Sequence, residues 1–251
     1  MTPLRDRGLF LAVDLDGTFL GGDDEDRREL YELIAHHRGD IALAYVTGRD
    51  IAFASGVARD RVAPAPDIII GDVGTSVVVA PDWAPHHELQ SWIDASWPGA
   101  ERAADILNGR ADLSPQPVFG SRRLSYYYTN HAAAAAAAVD IEAAGYAALL
   151  SANVFFDVLP RGVNKGQTLL RLLAHEGCTP ERVLCAGDTM NDLSLFETGL
   201  RGVAVGNSEP PLREAVATLG NVYNARREGA GGIVEAIHHF GLLPATTKGL
   251  H

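Results

Sequence analysis

Short apolar runs alternate with helical stretches at both ends of this chain. Leu9–Val13 is continuously apolar and stops at a polar cluster. Over 26–37, Leu30, Leu33 and Ile34 stand at helical spacing. Residues 41–46 are apolar again, 51–59 read as a helix, and 67–70 as a third strand stopped by Gly71. Runs apolar on both faces belong to strands covered by helices on two sides. Strands alternating with helices predict right-handed βαβ units and a parallel sheet. The rhythm returns late. A helix over 165–176, with Leu169, Leu170, Leu172 and Leu173, is closed by Gly177. Strands at 183–186, 202–205 and 222–223 then alternate with helices at 192–197, 211–219 and 233–239. The reading is one doubly wound α/β domain split into two parts, residues 1–74 and 162–251.

The middle, residues 75–161, has a different texture. It holds Trp83, Trp92 and Trp97, five prolines between Pro81 and Pro117, and a strand at 124–129. Seven consecutive alanines (132–138) follow. Alanine is the best helix former, and Val139 and Ile141 give some sidedness, so 131–144 reads as a helix packed closely on a sheet and ended by Gly145. Two more strands are expected at 149–150 and 154–159. This is enough for a small α+β domain inserted into a loop of the first, with the tryptophans in its core.

Composition narrows the function. The chain has 251 residues, 21 Lys+Arg against 32 Asp+Glu, and a net charge of −11. Such a field repels phosphate backbones and anionic lipid, so nucleic acid and membrane surfaces are poor partners. A small phosphorylated substrate would be opposed too, unless a local cation intervenes. Cys178 and Cys185 form no disulfide framework and no Cys/His metal spacing, and read as packing residues. The N-terminus lacks a signal-peptide apolar region, and no apolar run approaches ~18 residues. A reduced, cytoplasmic, soluble protein is expected.

Ligands of open α/β sheets bind beyond the carboxyl ends of the strands. Four polar clusters fall at such places: Asp14-Leu15-Asp16-Gly17-Thr18, Thr47-Gly48-Arg49-Asp50, Lys165, and Gly187-Asp188-Thr189-Met190-Asn191-Asp192. Singly, each has an ordinary reading as a turn, a helix cap or a solvated lysine. Together they put Asp14, Asp16, Asp188 and Asp192 with one lysine around one crevice. Crowded carboxylates repel, and a divalent cation resolves the repulsion; hard oxygen ligands select Mg²⁺. A carboxylate can attack phosphorus, and a second one can protonate the leaving oxygen and later activate water. The Thr47 hydroxyl and Gly48 amide can donate to phosphate oxygens, and Lys165 supplies the local cation.

At these residues the sequence resembles the haloacid dehalogenase superfamily of phosphotransferases. The stretches Val203-Ala204-Val205-Gly206-Asn207 and Gly232-Ile233-Val234-Glu235 look like the later part of the same Rossmann-like core. The long middle segment resembles a subfamily whose large α+β cap follows the third strand. Asp157-Val158-Leu159-Pro160-Arg161-Gly162-Val163-Asn164-Lys165-Gly166 is similar to the sucrose-phosphate phosphatase-like group, which includes mannosylfructose-phosphate phosphatases. Asp67, Gly74, Thr75 and the strand from Arg123 fit it too. The resemblance implies Asp14 as nucleophile and Mg²⁺ ligand, and Asp16 as acid and base with its carbonyl on Mg²⁺. It implies Thr47 and Lys165 on the phosphate, Asp188 on Mg²⁺, Asp192 as ligand or support, and Asn191 beside the phosphate, with Asn207 a further candidate. A carboxylate at position 16 points to phosphatases and away from the superfamily's ATPases.

The sugar end falls to the cap, with Arg123, Ser125, Asn153 and Arg161 as candidates, although residues around Arg123 and Tyr126 would also alternate across any sheet. His86-His87 and His238-His239 are adjacent pairs whose rings diverge, so they read as solvated or helix-end residues rather than metal ligands. The expected activity is Mg²⁺-dependent hydrolysis of a sugar phosphate, a disaccharide or glycosyl phosphate such as sucrose-6-phosphate, by a monomer or weak homodimer. A phosphomutase, a mannosyl-3-phosphoglycerate phosphatase, a broad small-molecule phosphatase and a non-catalytic sugar-phosphate-binding regulator are the alternatives.

Overall fold

A computed structural model describes residues 3–118 and 122–243. Strand β1 (Leu9–Val13) is buried along its whole length. Helix α1 (Asp24–His36) begins where Asp23 accepts hydrogen bonds from the amides of Glu25 and Asp26, and it buries Leu30 and Ile34. Next come β2 (Ile41–Val46), α2 (Ile51–Arg59), capped by Asp50, and β3 (Ile68–Gly71). The middle supplies β4 (Ser76–Val79), β5 (Ala84–Pro85), α3 (His87–Ser96), α4 (Glu101–Leu107) and β6 (Leu113–Pro115). It continues with β7 (Leu124–Tyr128), α5 (His131–Ala143), β8 (Tyr146–Ser151) and β9 (Phe155–Pro160). The chain returns through α6 (Lys165–Glu176), β10 (Val183–Gly187) and a tight turn at Met190–Asp192 that runs into α7 (Leu193–Phe196). It ends with β11 (Arg201–Ala204), α8 (Pro210–Val216), β12 (Val222–Asn224) and α9 (Gly229–Phe240).

The first sheet has the order β12-β11-β10-β1-β2-β3-β4-β5. It is parallel from β12 to β3, and β4 and β5 close one side antiparallel. Alternate residues of β1 point to opposite faces. Leu9, Leu11 and Val13 pack with Leu30 and Ile34 of α1, Val57 of α2 and Ile233 and Ile237 of α9. Phe10 and Ala12 pack with Leu89 and Ile93 of α3 and Leu169, Leu172 and Leu173 of α6. This is the expected doubly wound α/β architecture, and β1 sits at its switch point, with β2 on one side and β10 on the other.

The second sheet is antiparallel, in the order β6-β7-β9-β8. One face carries Tyr126, Tyr128, Phe156 and Val158, covered by α4 and α5 through Ala103, Leu107, Ala134, Ala137 and Ile141. The alanine run is thus an ordered helix, and its small side chains let it lie close to the strands. Position 146 already opens β8, three residues ahead of the expected start, because Ala147 and Ala148 carry no strand signature. The opening of the middle segment belongs to the first sheet: β4 and β5 extend it, and α3 packs on it. The tryptophans divide accordingly. Only Trp97 packs in the core of the second sheet, while Trp83 and Trp92 pack against the first.

Helix α9 starts four residues earlier than the apolar pattern suggests. Its first turn holds Gly229, Gly231 and Gly232, which give no hydrophobic signal. A Cβ at Gly229 would stand 2.1 Å from the backbone carbon of Gly21, so the glycine permits close approach of the helix to the loop after β1. Cys185 is buried in β10 and Cys178 half-buried; burial pushes their thiols up to about 12 and about 11. Both are packing residues, as expected. Among the described residues no helix is long and apolar enough to cross a membrane.

Candidate active site

Asp14 directly follows β1, and its amide donates to the carbonyl of Ala186 in β10 (3.0 Å). The chain then folds into a wide turn, with the amide of Phe19 donating back to the Asp14 carbonyl (3.0 Å). Gly17, at φ 77°, makes the turn possible; a Cβ there would meet a carboxylate oxygen of Asp188 at 2.3 Å. Thr18 Oγ1 donates to Asp188 Oδ1 (2.7 Å), tying the loop after β1 to the loop after β10. Thr47 directly follows β2, fully buried, and its hydroxyl accepts from the Arg49 amide (3.1 Å). The four polar clusters therefore converge beyond the carboxyl ends of β1, β2 and β10.

Lys165 opens α6 and is completely buried. Its Nζ donates to Asp14 Oδ1 (2.7 Å), Asn191 Oδ1 (2.7 Å) and Asp192 Oδ1 (2.6 Å), which uses all three ammonium protons. The other oxygen of Asp192 accepts from the amides of Asp188 (3.0 Å) and Thr189 (3.1 Å). Asp192 thus fixes both the lysine and the loop. Burial pushes the Asp14 carboxyl well above its ordinary range, against the pull of Lys165. Burial, reinforced by the charge of Asp192, pushes Asp188 up to about 7. Burial alone would lower Lys165, but Asp14 and Asp192 outweigh it and hold the ammonium above its usual value.

Oxygens of Asp14, Asp188 and Asp192 lie within 4.8 Å of one another. Three buried carboxylates face one buried ammonium. The excess negative charge and the all-oxygen donor set suit a hard divalent cation such as Mg²⁺. Asp14 and Asp188 retain free oxygens for it, whereas the side chain of Asp192 is already engaged.

Asp16 is half-exposed at the mouth of the crevice. Arg49 grips it with Nε on Oδ2 (2.7 Å) and Nη2 on Oδ1 (3.0 Å), and the guanidinium lies 4.6 Å from the ring centroid of Phe53. Hydrogen bonding to Asp16 holds Arg49 above its ordinary pKa. Asn207, a candidate for the phosphate, is engaged elsewhere: its Nδ2 donates to the Gly17 carbonyl and its Oδ1 accepts from the Gly229 amide, both at 2.9 Å.

A cavity of about 350 Å³ lies over this crevice, between the two sheets; Asp14, Asp16 and Asn191 line it from below and Arg123, Phe155 and Asp157 from above. Arg123 spans the gap. Nη1 donates to the Gly48 carbonyl (3.1 Å), Nη2 pairs with Asp72 Oδ1 (3.1 Å), and Asp157 Oδ1 stands 3.6 Å away. Ser125 donates to Asp157. Burial raises Asp72 and Asp157, with Arg123 opposing in both. Of the sugar-reading candidates, Arg123 lines the cavity, and Ser125 touches it only through Asp157. Asn153 and Arg161 do neither: both are exposed in turns, after β8 and after β9, and line no part of the cavity.

Arg49, Gln116, Ser151, Phe155 and Asp157 line the cavity without having been candidates. Phe155 and Asp157 had a signal, since they alternate with the core residues Phe156 and Val158. Gln116 and Ser151 had none. The histidine pairs behave as helix-end residues. His86 is buried at the start of α3, accepting from the Leu89 amide (3.5 Å) with Nε2 3.6 Å from Glu176; His175 Nδ1 is 2.7 Å from Glu88. His238 and His239 lie in the last turn of α9.

Comparison with known proteins gives the same direction. The model of the sucrose-6F-phosphate phosphohydrolase family matches residues 7–241. A glucosylglycerol-phosphate synthase of Pseudomonas anguilliseptica is 45% identical over 94% of this chain, which spans 31% of that protein. A mannosylfructose-phosphate phosphatase of Agrobacterium fabrum is 29% identical over 97% of this chain and 100% of its own length. The structure of the sucrose-phosphatase of Synechocystis in complex with sucrose and phosphate superimposes with a TM-score of 0.87 at 28% identity, covering 95% of this chain and 100% of that one. A haloacid dehalogenase-like hydrolase of Bacillus subtilis shares the fold alone, with a TM-score of 0.67 at 17% identity, covering 97% of this chain and 95% of that one.

Proposed function

We propose that this chain, which belongs to the sucrose-6F-phosphate phosphohydrolase family, is a Mg²⁺-dependent phosphomonoesterase acting on a glycosyl or disaccharide phosphate. One observation carries the reading: Asp14, Asp188 and Asp192 gather around the buried Lys165, with Asp16 two residues beyond Asp14 at the cavity.

Asp14 attacks phosphorus in line, forming an aspartyl phosphate as the ester oxygen departs. Asp16 gives that oxygen its proton, then takes one from the water that hydrolyses the intermediate. Lys165 holds Asp14 in place and offsets charge on the transferring phosphoryl group. Thr47 and the Gly48 amide orient its oxygens, and Asn191 stands beside them. Mg²⁺, held by Asp14, Asp188 and the Asp16 carbonyl and supported by Asp192, would neutralise nucleophile and phosphate together.

Residues 1–74 and 162–251 supply this chemistry. Within 75–161, β7 and β9 supply the face that reads the sugar, with Arg123 and Asp157 nearest. The preferred substrates are sucrose-6-phosphate or mannosylfructose phosphate. Glucosylglycerol phosphate is a specific second reading, supported by the 45% identity to part of a glucosylglycerol-phosphate synthase. Phosphate release from these three esters, hexose phosphates and phosphoglycolate decides among them. Asp14→Asn abolishes turnover and leaves the fold intact; full activity in that variant would refute the mechanism.

A further inference from the structure

The cavity-facing side of the second sheet presents two kinds of residue. Arg123, Ser125 and Asp157 are engaged with one another and with the loops after β2 and β3. Next to them are two aromatic rings. Tyr127 on β7 and Phe155 on β9 are direct register partners. Their ring centroids are 5.8 Å apart and their planes inclined by 42°. Strand alternation puts both on the face opposite Tyr126, Tyr128 and Phe156, which fill the core under α4 and α5. Tyr127 is 43% exposed, one of few large apolar side chains left in water among the described residues. Phe155 lines the same cavity as Asp14, Asp16 and Asn191.

A cross-strand aromatic pair supports a sheet, but that role does not call for a ring at the cavity wall, where Phe155 stands, beside a Tyr127 that is left exposed. We propose that Phe155, backed by Tyr127, is the stacking surface for the apolar C–H face of the substrate's sugar, and that the pair determines specificity. The inference rests on the sugar-phosphate reading above. A sugar ring carries hydroxyls around its rim and C–H bonds, with partial positive charge, on its faces. An aromatic face is apolar and electron-rich, so it accepts such a face where water would not. Gln116 and Ser151 line the same cavity and can take rim hydroxyls. The cavity's volume of about 350 Å³ is within the ~300–1,000 Å³ that small-molecule sites occupy, and Phe155 is the aromatic ring among its lining residues.

The test compares sugar esters with an acyl phosphate that has no ring. The full chain with Mg²⁺ is assayed on sucrose-6-phosphate, mannosylfructose phosphate and glucosylglycerol phosphate, and on acetyl phosphate. In Phe155→Leu, kcat/KM for the best sugar ester relative to acetyl phosphate falls about tenfold, roughly 1.4 kcal/mol, mainly through KM. Phe155→Trp restores the ratio, and Tyr127→Ala lowers it less than Phe155→Leu does. An unchanged ratio in Phe155→Leu overturns the proposal, as does Phe155→Trp performing no better than the leucine variant. If the unaltered chain cleaves acetyl phosphate but no sugar ester, the sugar-phosphate reading falls and takes the pair with it. If sugar esters are cleaved and the ratio does not move, only the role of the pair falls.

Discussion

Arg49 holds Asp16 with both arms of its guanidinium, Nε 2.7 Å from Oδ2 and Nη2 3.0 Å from Oδ1. The proposed acid and base, half-exposed, therefore has a fixed orientation that its exposure alone would not give it. Arg49→Met is expected to lower kcat on sugar phosphates by about tenfold, part of the ~10²–10⁴ that a positioned acid and base contributes. Aryl phosphates, whose leaving group departs without a proton, lose less. The pair is exposed, so stability changes by under ~1 kcal/mol. Steady-state kinetics on both ester types, with urea unfolding, checks the split; equal losses on both would show that Arg49 acts on something other than Asp16.

Lys165→Met leaves Asp14 and Asp192 facing each other in a buried site. Removing one partner of a buried ion pair costs roughly 3–5 kcal/mol. The Asp14 carboxyl, which burial already raises, binds protons more readily than in the unfolded chain, so the loss shrinks in acid. Urea unfolding at pH 7.5 and pH 5 should show the larger deficit at pH 7.5. The same deficit at both values contradicts the charge explanation.

Asp188 titrates near 7 in the metal-free fold, against about 4 in an unfolded chain. Between these values the folded state binds more protons, so its stability falls as pH rises through that window. The penalty at neutral pH is at most roughly 4 kcal/mol, and Asp14 adds to it in the same direction. Mg²⁺ competes with the same protons. Millimolar Mg²⁺ should therefore raise Tm more at pH 8 than at pH 5, as followed by thermal unfolding. A shift independent of pH would place the ion elsewhere.

Gly166 lies where α6 meets α7. A Cβ there would stand 1.9 Å from the Ser194 carbonyl oxygen, a backbone atom that cannot rotate away. Gly166→Ala should destabilise by about 2–3 kcal/mol or more, the scale of overpacking. Gly220→Ala, with nothing within 4 Å of the added carbon, should stay within ~0.5 kcal/mol. Denaturant midpoints of the two variants give the comparison.

The core was legible because its signals are local. An apolar run ending in Asp14-Leu15-Asp16-Gly17-Thr18 announces both a buried strand and the crevice at its end. The convergence of Asp14, Lys165 and Asp188 followed from putting each at a strand or helix end. The ion pair between Arg49 and Asp16 was not legible, since it joins residues 33 apart through side-chain reach alone. On the second sheet the alternation of Phe155, Phe156, Asp157 and Val158 fixed the faces but not which face looked at the crevice. That depends on how two sheets are laid together. Asn153 and Arg161, candidates for the sugar end, lie in exposed turns that carry them away from the cavity. Trp83 and Trp92 were assigned to the wrong core because β4, β5 and α3 turn back onto the first sheet.

The position of β1 between β2 and β10 also has a consequence for synthesis. The chain leaves the ribosome N-terminus first, so β1 and β2 can pair long before β10 exists. Until about 175 further residues have emerged, one side of Leu9–Val13 is an unpaired, wholly apolar edge of the kind that seeds aggregation. The same delay separates Asp14 from Lys165 and Asp188. Between the emergence of β2 and that of β10 a nascent chain therefore has an exposed edge and an unassembled site, and the pairing of β10 ends both conditions in one event.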